Sequence, residues 1–161
     1  MEQSELKREI LNFLREYPIM SIAVSLDNKP MASVVVFTVA DDFTFHFVTQ
    51  KNSYKAKALL KNPQISMAIW KINDTLVQAD AVVNPVPEAQ IDAYLSAIAA
   101  SNEKLNDFWP PLVRISDDEY VVFEIKPTWL RVLDLKSNTI KALDTSYKEI
   151  KLTQNEKNTS S

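Results

Sequence analysis

FHFVTQKNSYKAKALLKNPQISMAIW, residues 45–70, changes its period twice. Phe43, Phe45 and Phe47 alternate with Thr44, His46 and Val48, the two-residue period of a strand. That strand ends at Thr49. Asn52 and Ser53 open a short helix that runs to about Lys61, and Asn62-Pro63 ends it. Residues 64–72 and 75–83 then read as a hairpin around Asn73-Asp74. Upstream, Leu6, Ile10, Phe13, Leu14 and Tyr17 recur at helical spacing over 4–16, with Ser4 as the cap and Pro18 as the stop. A strand at 19–26 leads to Asp27-Asn28-Lys29, where Asn and Asp take the place that Gly usually holds. Residues 31–40 are β-branched and apolar, which predicts a strand buried on both sides, and Ala40-Asp41-Asp42 turns the chain. Downstream, Pro85 and Pro87 introduce a helix with Ile91, Tyr94, Leu95 and Ile98 on one face. Residues 119–126 and 128–135 read as two further strands, and Ile140, Leu143, Ile150 and Leu152 suit short ones. About six strands joined by tight turns favour a mainly β fold, a closed or partly closed antiparallel barrel with flanking helices, because closure removes exposed edges.

The 161 residues suit a single domain over 1–152, followed by a polar tail, 153–161, expected to be disordered. Gly and Cys are both absent. Without Gly there is no Rossmann fingerprint, Walker A loop or nucleophile elbow, all of which need it for sharp turns or close backbone approach. Without Cys there is no disulfide, thiolate metal site or Cys nucleophile. The single His excludes a His-rich metal site, and we expect no metal. A net charge of −3 argues against a nucleic-acid partner. No apolar run is long enough to span a bilayer, and the charged start MEQSELKREI lacks a signal-peptide core. The expectation is a cytoplasmic protein without a membrane or nucleic-acid partner.

The helix opening at Ser53 carries Lys55 and Lys57 near its first turn. A helix start offers unpaired N–H groups and partial positive charge, so it suits a phosphate. Cations there oppose the helix dipole, which an anion would explain; a solvated helix start with ordinary surface lysines is the plainer reading. Lys51, Lys55, Lys57 and Lys61 together also fit a solvated face. His46 lies between two Phe residues and reads as a packed histidine rather than a base. Trp109 beside Pro110-Pro111 reads as a packing anchor, and Asp117-Asp118-Glu119 as a turn.

The same segment resembles the signature of the FMN-binding split barrel, the pyridoxamine 5′-phosphate oxidase-like superfamily that includes general stress proteins. That signature is aromatic-x-Thr, three residues, Ser-x-Lys, then a short helix closed by Asn-Pro. Here it reads Phe47-Val48-Thr49, Ser53-Tyr54-Lys55 and Asn62-Pro63. Lys29-Pro30 before the long strand and FEIKPTWLRVLDL at 123–135 fall in the family's order. The resemblance implies a six-stranded split barrel, a homodimer, and FMN between the subunits. It places Thr49, Ser53 and Lys55, with Tyr54 beside them, at the flavin phosphate. It lays the strand from Ser33 through Val34, Val35 and Val36 to Thr38 along the ring, and sets Gln78 against the flavin from the opposite strand. The family's oxidases carry Arg at the position of Ser33, Lys at that of Thr38 and Arg at that of Tyr54. A Trp common in the stress-protein relatives falls at Leu133. These departures point away from oxidation of pyridoxamine phosphate itself.

Two functions follow from the resemblance. One is an FMN-dependent oxidoreductase of unknown substrate; no side chain stands out as its acid or base. The other is a non-catalytic barrel that has lost FMN or holds another flat ligand such as haem.

Overall fold

The computed structural model describes residues 2–103, 119–136 and 147–152. Trp109, Pro110, Pro111, Asp117, Asp118, Ile140, Leu143 and the 153–161 tail lie outside the described residues. Among these residues three α-helices, α1 (Gln3–Glu16), α2 (Tyr54–Lys61) and α3 (Ile91–Glu103), accompany one curled antiparallel sheet. Its long strands are β1 (Ile19–Leu26), β2 (Lys29–Val36), β4 (Phe45–Gln50), β5 (Gln64–Lys71), β6 (Thr75–Pro85) and β7 (Tyr120–Asp134). Two short ones, β3 (Thr38–Val39) and β8 (Lys148–Glu149), complete it. The order across the sheet is β2-β1-β5-β6-β7-β4-β3, with β8 on β7. The fold is therefore mainly β, a split-barrel arrangement with flanking helices.

The strand expected over 31–40 breaks at Phe37. Its N–H donates to the Pro18 carbonyl at 3.0 Å, and on either side Val36 pairs with Ile19 in β1 and Thr38 with His46 in β4. The chain thus passes from one end of the sheet order to the other through a single fully buried Phe, which curls the sheet upon itself. Burial on both sides holds only from Val35 to Phe37; Ala32 and Val34 are exposed, because β2 ends the sheet and its outer face is uncovered there.

Without Gly, the positive-φ positions fall on Asp27, Asn28, Phe43 and Asn73. The Asp27-Asn28 pair makes the two-residue β1–β2 turn, for which positive φ at both positions matches strand twist. Phe43, expected on a strand, instead sits in the turn before β4 at φ 64°, buried to 2% exposure. Its N–H donates to the Ala40 carbonyl at 3.0 Å. Its ring's burial offsets an unfavourable backbone for a bulky residue.

Residues 119–126 and 128–135 form one strand rather than two. Asp80 pairs with Trp129 and Ala81 with Pro127, leaving Thr128 as an extra residue whose hydroxyl donates to the Asp80 carbonyl at 3.1 Å. This bulge flips the inward parity, from Phe123 and Ile125 before it to Leu130 and Val132 after it. Glu2, not Ser4, occupies the cap position of α1, and no side chain bonds there.

The main core holds Leu6, Ile10 and Leu14 of α1 against Met20, Ile22, Ile69 and the Phe side chains of β4 and β7. Phe47 and Phe123 stack at 5.5 Å between centroids. A second, smaller cluster forms on the outer face, where Ile91, Tyr94, Leu95 and Ile98 of α3 cover Val36, Val48 and Val122.

Candidate functional site

Thr49 ends the inward row of β4 and is buried. Its hydroxyl lies 3.0 Å from that of Ser53, which also accepts from the Ala56 N–H at 3.2 Å as the N-cap of α2. Ser53 therefore has a structural role of its own. Tyr54 packs half-buried on the main core. Lys55 is half-buried too, and burial lowers its pKa below the usual lysine range. No ion pair reaches it among the described residues. Lys57 and Lys61 are exposed, and Lys51 pairs with Glu119 at 3.4 Å. Of the basic run, Lys55 alone combines partial burial with the helix start.

On β2 the side chains alternate. Ser33 and Val35 face inward, and the Ser33 hydroxyl is buried without a hydrogen-bond partner among the described residues. Val34 faces outward at 48% exposure, while Val36 lies beneath α3. Thr38, half-buried, pairs with His46. Gln78 faces outward from β6 and belongs to one register row, Val34–Ser21–Ala68–Gln78–Arg131, running across five strands. The structure thus brings Thr49, Ser53, Tyr54 and Lys55 together at the start of α2. It sets Val34 and Gln78 on a shared outer face instead.

Two residues on that face, Arg131 and Tyr147, escaped the sequence reading; Trp129, near the position of the relatives' Trp, joins them. The Arg131 Nε donates to the Gln78 Oε1 at 3.0 Å, and its guanidinium lies 4.9 Å from the Trp129 ring centroid and 3.7 Å from that of Tyr147. Parity counted from Phe123 turns Arg131 inward, and the bulge at Thr128 turns it outward.

His46 is packed, as its setting between two Phe residues suggested. Its ring stacks on Tyr94 at 4.1 Å, and its Nε2 lies 3.7 Å from the Glu124 carboxylate. Burial lowers its pKa, with Glu124 opposing. Among the described residues no cluster of His, Asp and Glu could hold a metal ion, and no helix is long and apolar enough to cross a membrane.

The sequence model of the family described as pyridoxamine 5′-phosphate oxidase matches residues 6–134. That stretch runs from the first buried residue of α1 to the last residue of β7. The chain belongs to the pyridoxamine 5′-phosphate oxidase family. Over 66 residues it is 33% identical to a pyridoxine/pyridoxamine 5′-phosphate oxidase of Anaeromyxobacter dehalogenans, a match covering 40% of this chain and 33% of that protein. The chain spans about a third of that relative's length. Among solved structures it is similar to a pyridoxamine 5′-phosphate oxidase-related, FMN-binding protein of Nostoc punctiforme (TM-score 0.55, 14% identity, 84% of this chain and 83% of that one). It is also similar to HutZ, the haem storage protein of Vibrio cholerae (TM-score 0.58, 20% identity, 82% and 99%). At these identities the two structures share the family's fold.

Proposed function

We propose that this member of the pyridoxamine 5′-phosphate oxidase family binds FMN and serves as an FMN-dependent oxidoreductase acting on a substrate other than pyridoxamine phosphate. The observation that carries the reading is Lys55: a half-buried ammonium at a capped helix start, with no carboxylate to neutralise it among the described residues. Burying a cation costs free energy unless something pairs with it, and a phosphate at the N–H groups of the same helix would do so. Thr49 and Ser53 supply hydroxyls, and Tyr54 borders them. Backbone N–H and C=O groups of 33–38, with Gln78 across the sheet, would hold the ring. FMN, once bound, would supply hydride or electron transfer, while the protein sets its position and electrostatics.

The likeness to an FMN-binding structure supports this reading, and the likeness to HutZ supports a haem-holding or flavin-free barrel. The chain's one His disfavours haem as the ligand, since it is buried against Tyr94. The visible spectrum of purified protein separates flavin, haem and neither. Lys55→Ala is expected to weaken FMN about 10- to 100-fold, the scale of one charge-assisted hydrogen bond. Riboflavin, without the phosphate, should bind the variant as it binds the parent. Equal losses for both ligands, or no loss, would remove Lys55 from the phosphate site.

A further inference from the structure

α3 is held to the sheet by apolar packing. Its Ile91, Tyr94, Leu95 and Ile98 cover Val36, Val48 and Val122, a cluster separate from the main core. Among the described residues no hydrogen bond or ion pair joins an α3 side chain to the sheet; the Ser96 hydroxyl bonds within the helix, to the Asp92 carbonyl at 3.2 Å. The chain enters α3 from β6. Its last tie to the sheet on that path is the Val86 N–H, which donates to the Val122 carbonyl at 2.9 Å. After Pro87 comes a single 3-10 turn, Glu88–Gln90, with no buried residue. α3 can therefore leave the sheet about this turn without breaking a strand pair.

A titratable group lies beneath the helix. His46 is 6% exposed, its ring stacks on Tyr94 at 4.1 Å, and its Nε2 is buried without a hydrogen bond among the described residues. The Glu124 carboxylate, 3.7 Å away, is too distant for one and also pairs with Lys126 at 3.2 Å. The charged groups acting on the ring are Glu124 and Lys126 of β7 and Asp42 of the turn before β4; α3 sets the Tyr94 phenol against it. With α3 in place, burial outweighs the two carboxylates and favours the neutral ring. With α3 away, water reaches Nε2 while Glu124 stays beside it, so the same ring takes up a proton more readily. Proton uptake and release of the helix then favour each other.

We propose that His46 is an acid-sensitive latch for α3: proton uptake on its imidazole frees the helix from the outer face while the main core stays folded. Release uncovers Val36, Val48 and Val122, so acid turns a covered apolar cluster into exposed surface. The latch uses none of Thr49, Ser53 or Lys55 and needs no bound flavin, so it stands or falls separately from the proposed cofactor site.

The test is amide hydrogen exchange of the full chain between pH 7.5 and 5.5, corrected for the pH dependence of intrinsic exchange. One titrating proton shifts an opening equilibrium by up to about tenfold per pH unit. Peptides covering 91–103 should therefore lose about tenfold in protection over that range, while those of α1 keep theirs. The chain's one His gives a single imidazole resonance, whose midpoint should coincide with the loss at α3. His46→Phe keeps a ring against Tyr94 and should hold α3 protection level across the range. If that variant loses its cooperative melt, the parent's own resonance decides. Constant α3 protection in the parent overturns the latch, and so does a resonance that titrates apart from it. Protection lost from α1 and α3 together is global unfolding and also overturns it. A folded His46→Phe variant with the parent's pH dependence does the same.

Discussion

His46 couples the packing of α3 to pH. Its ring lies flat on Tyr94, and the groups that act on its charge are Glu124 and Asp42, which favour the protonated form, and Lys126, which opposes it. Burial outweighs the two carboxylates, so the folded protein holds His46 below its ordinary 6.5. The unfolded chain then takes up a proton that the folded one refuses. The stability tied to neutral His46 is complete above about pH 6.5 and is lost as pH falls toward the depressed folded value. Urea unfolding at a series of pH values should show this slope below about pH 6.5, ahead of the carboxylates. His46→Phe keeps the stacked ring and removes the proton, so its stability should stay flat in that window. A parent as flat as the variant would show that His46 does not titrate there.

Ser53 does two things for α2, and substitutions can separate them. Its hydroxyl caps the helix through the Ala56 N–H and meets Thr49. Ser53→Ala should cost about 1 kcal/mol of stability, the usual loss of an N-cap. Ser53→Asp keeps a capping oxygen, so stability should hold, yet its charge would repel a phosphate. In that variant FMN affinity should fall at least about tenfold with riboflavin spared; if FMN is spared too, the phosphate is not at this helix start. Elements of this kind were legible from the chain. The α2 start and its cap lie within seven residues, Thr49–Lys55, and the β5–β6 hairpin announces itself through Asn73. Where distant partners decide, the sequence was silent. Phe37 breaks its strand because the Pro18 carbonyl takes its N–H. The β7 bulge shows as Pro127 in the sequence, but its pairing across Asp80 is tertiary. Arg131 is oriented by Gln78, 53 residues away, and no local pattern marks that contact.

At the scale of the whole molecule, the sheet curls around one core, with α1 against that core and α3 over part of the outer face. The remaining outer face has no helix on it among the described residues. Val34, Trp70 and Val82 face outward there at 48%, 57% and 38% exposure, and Ile72 stands at 70% in the adjoining turn. Large apolar side chains that share one uncovered face, as Val34 and Trp70 do, mark an interaction surface. Another copy of the chain would satisfy it, because a twofold axis lets the same patch cover itself. A copy laid across the face would cover Val34 and remove Trp70 from water. The expected species is thus a homodimer of about twice the 18.3 kDa chain mass, measurable by light scattering at micromolar concentration. Trp70→Glu places a charge in the middle of the contact, where it would have no partner, and should yield a folded monomer. Trp70 is exposed in the single chain, so the substitution should leave the monomer's own core intact. A parent that scatters as 18.3 kDa, or a Trp70→Glu variant that stays dimeric, would show that this face is not the contact.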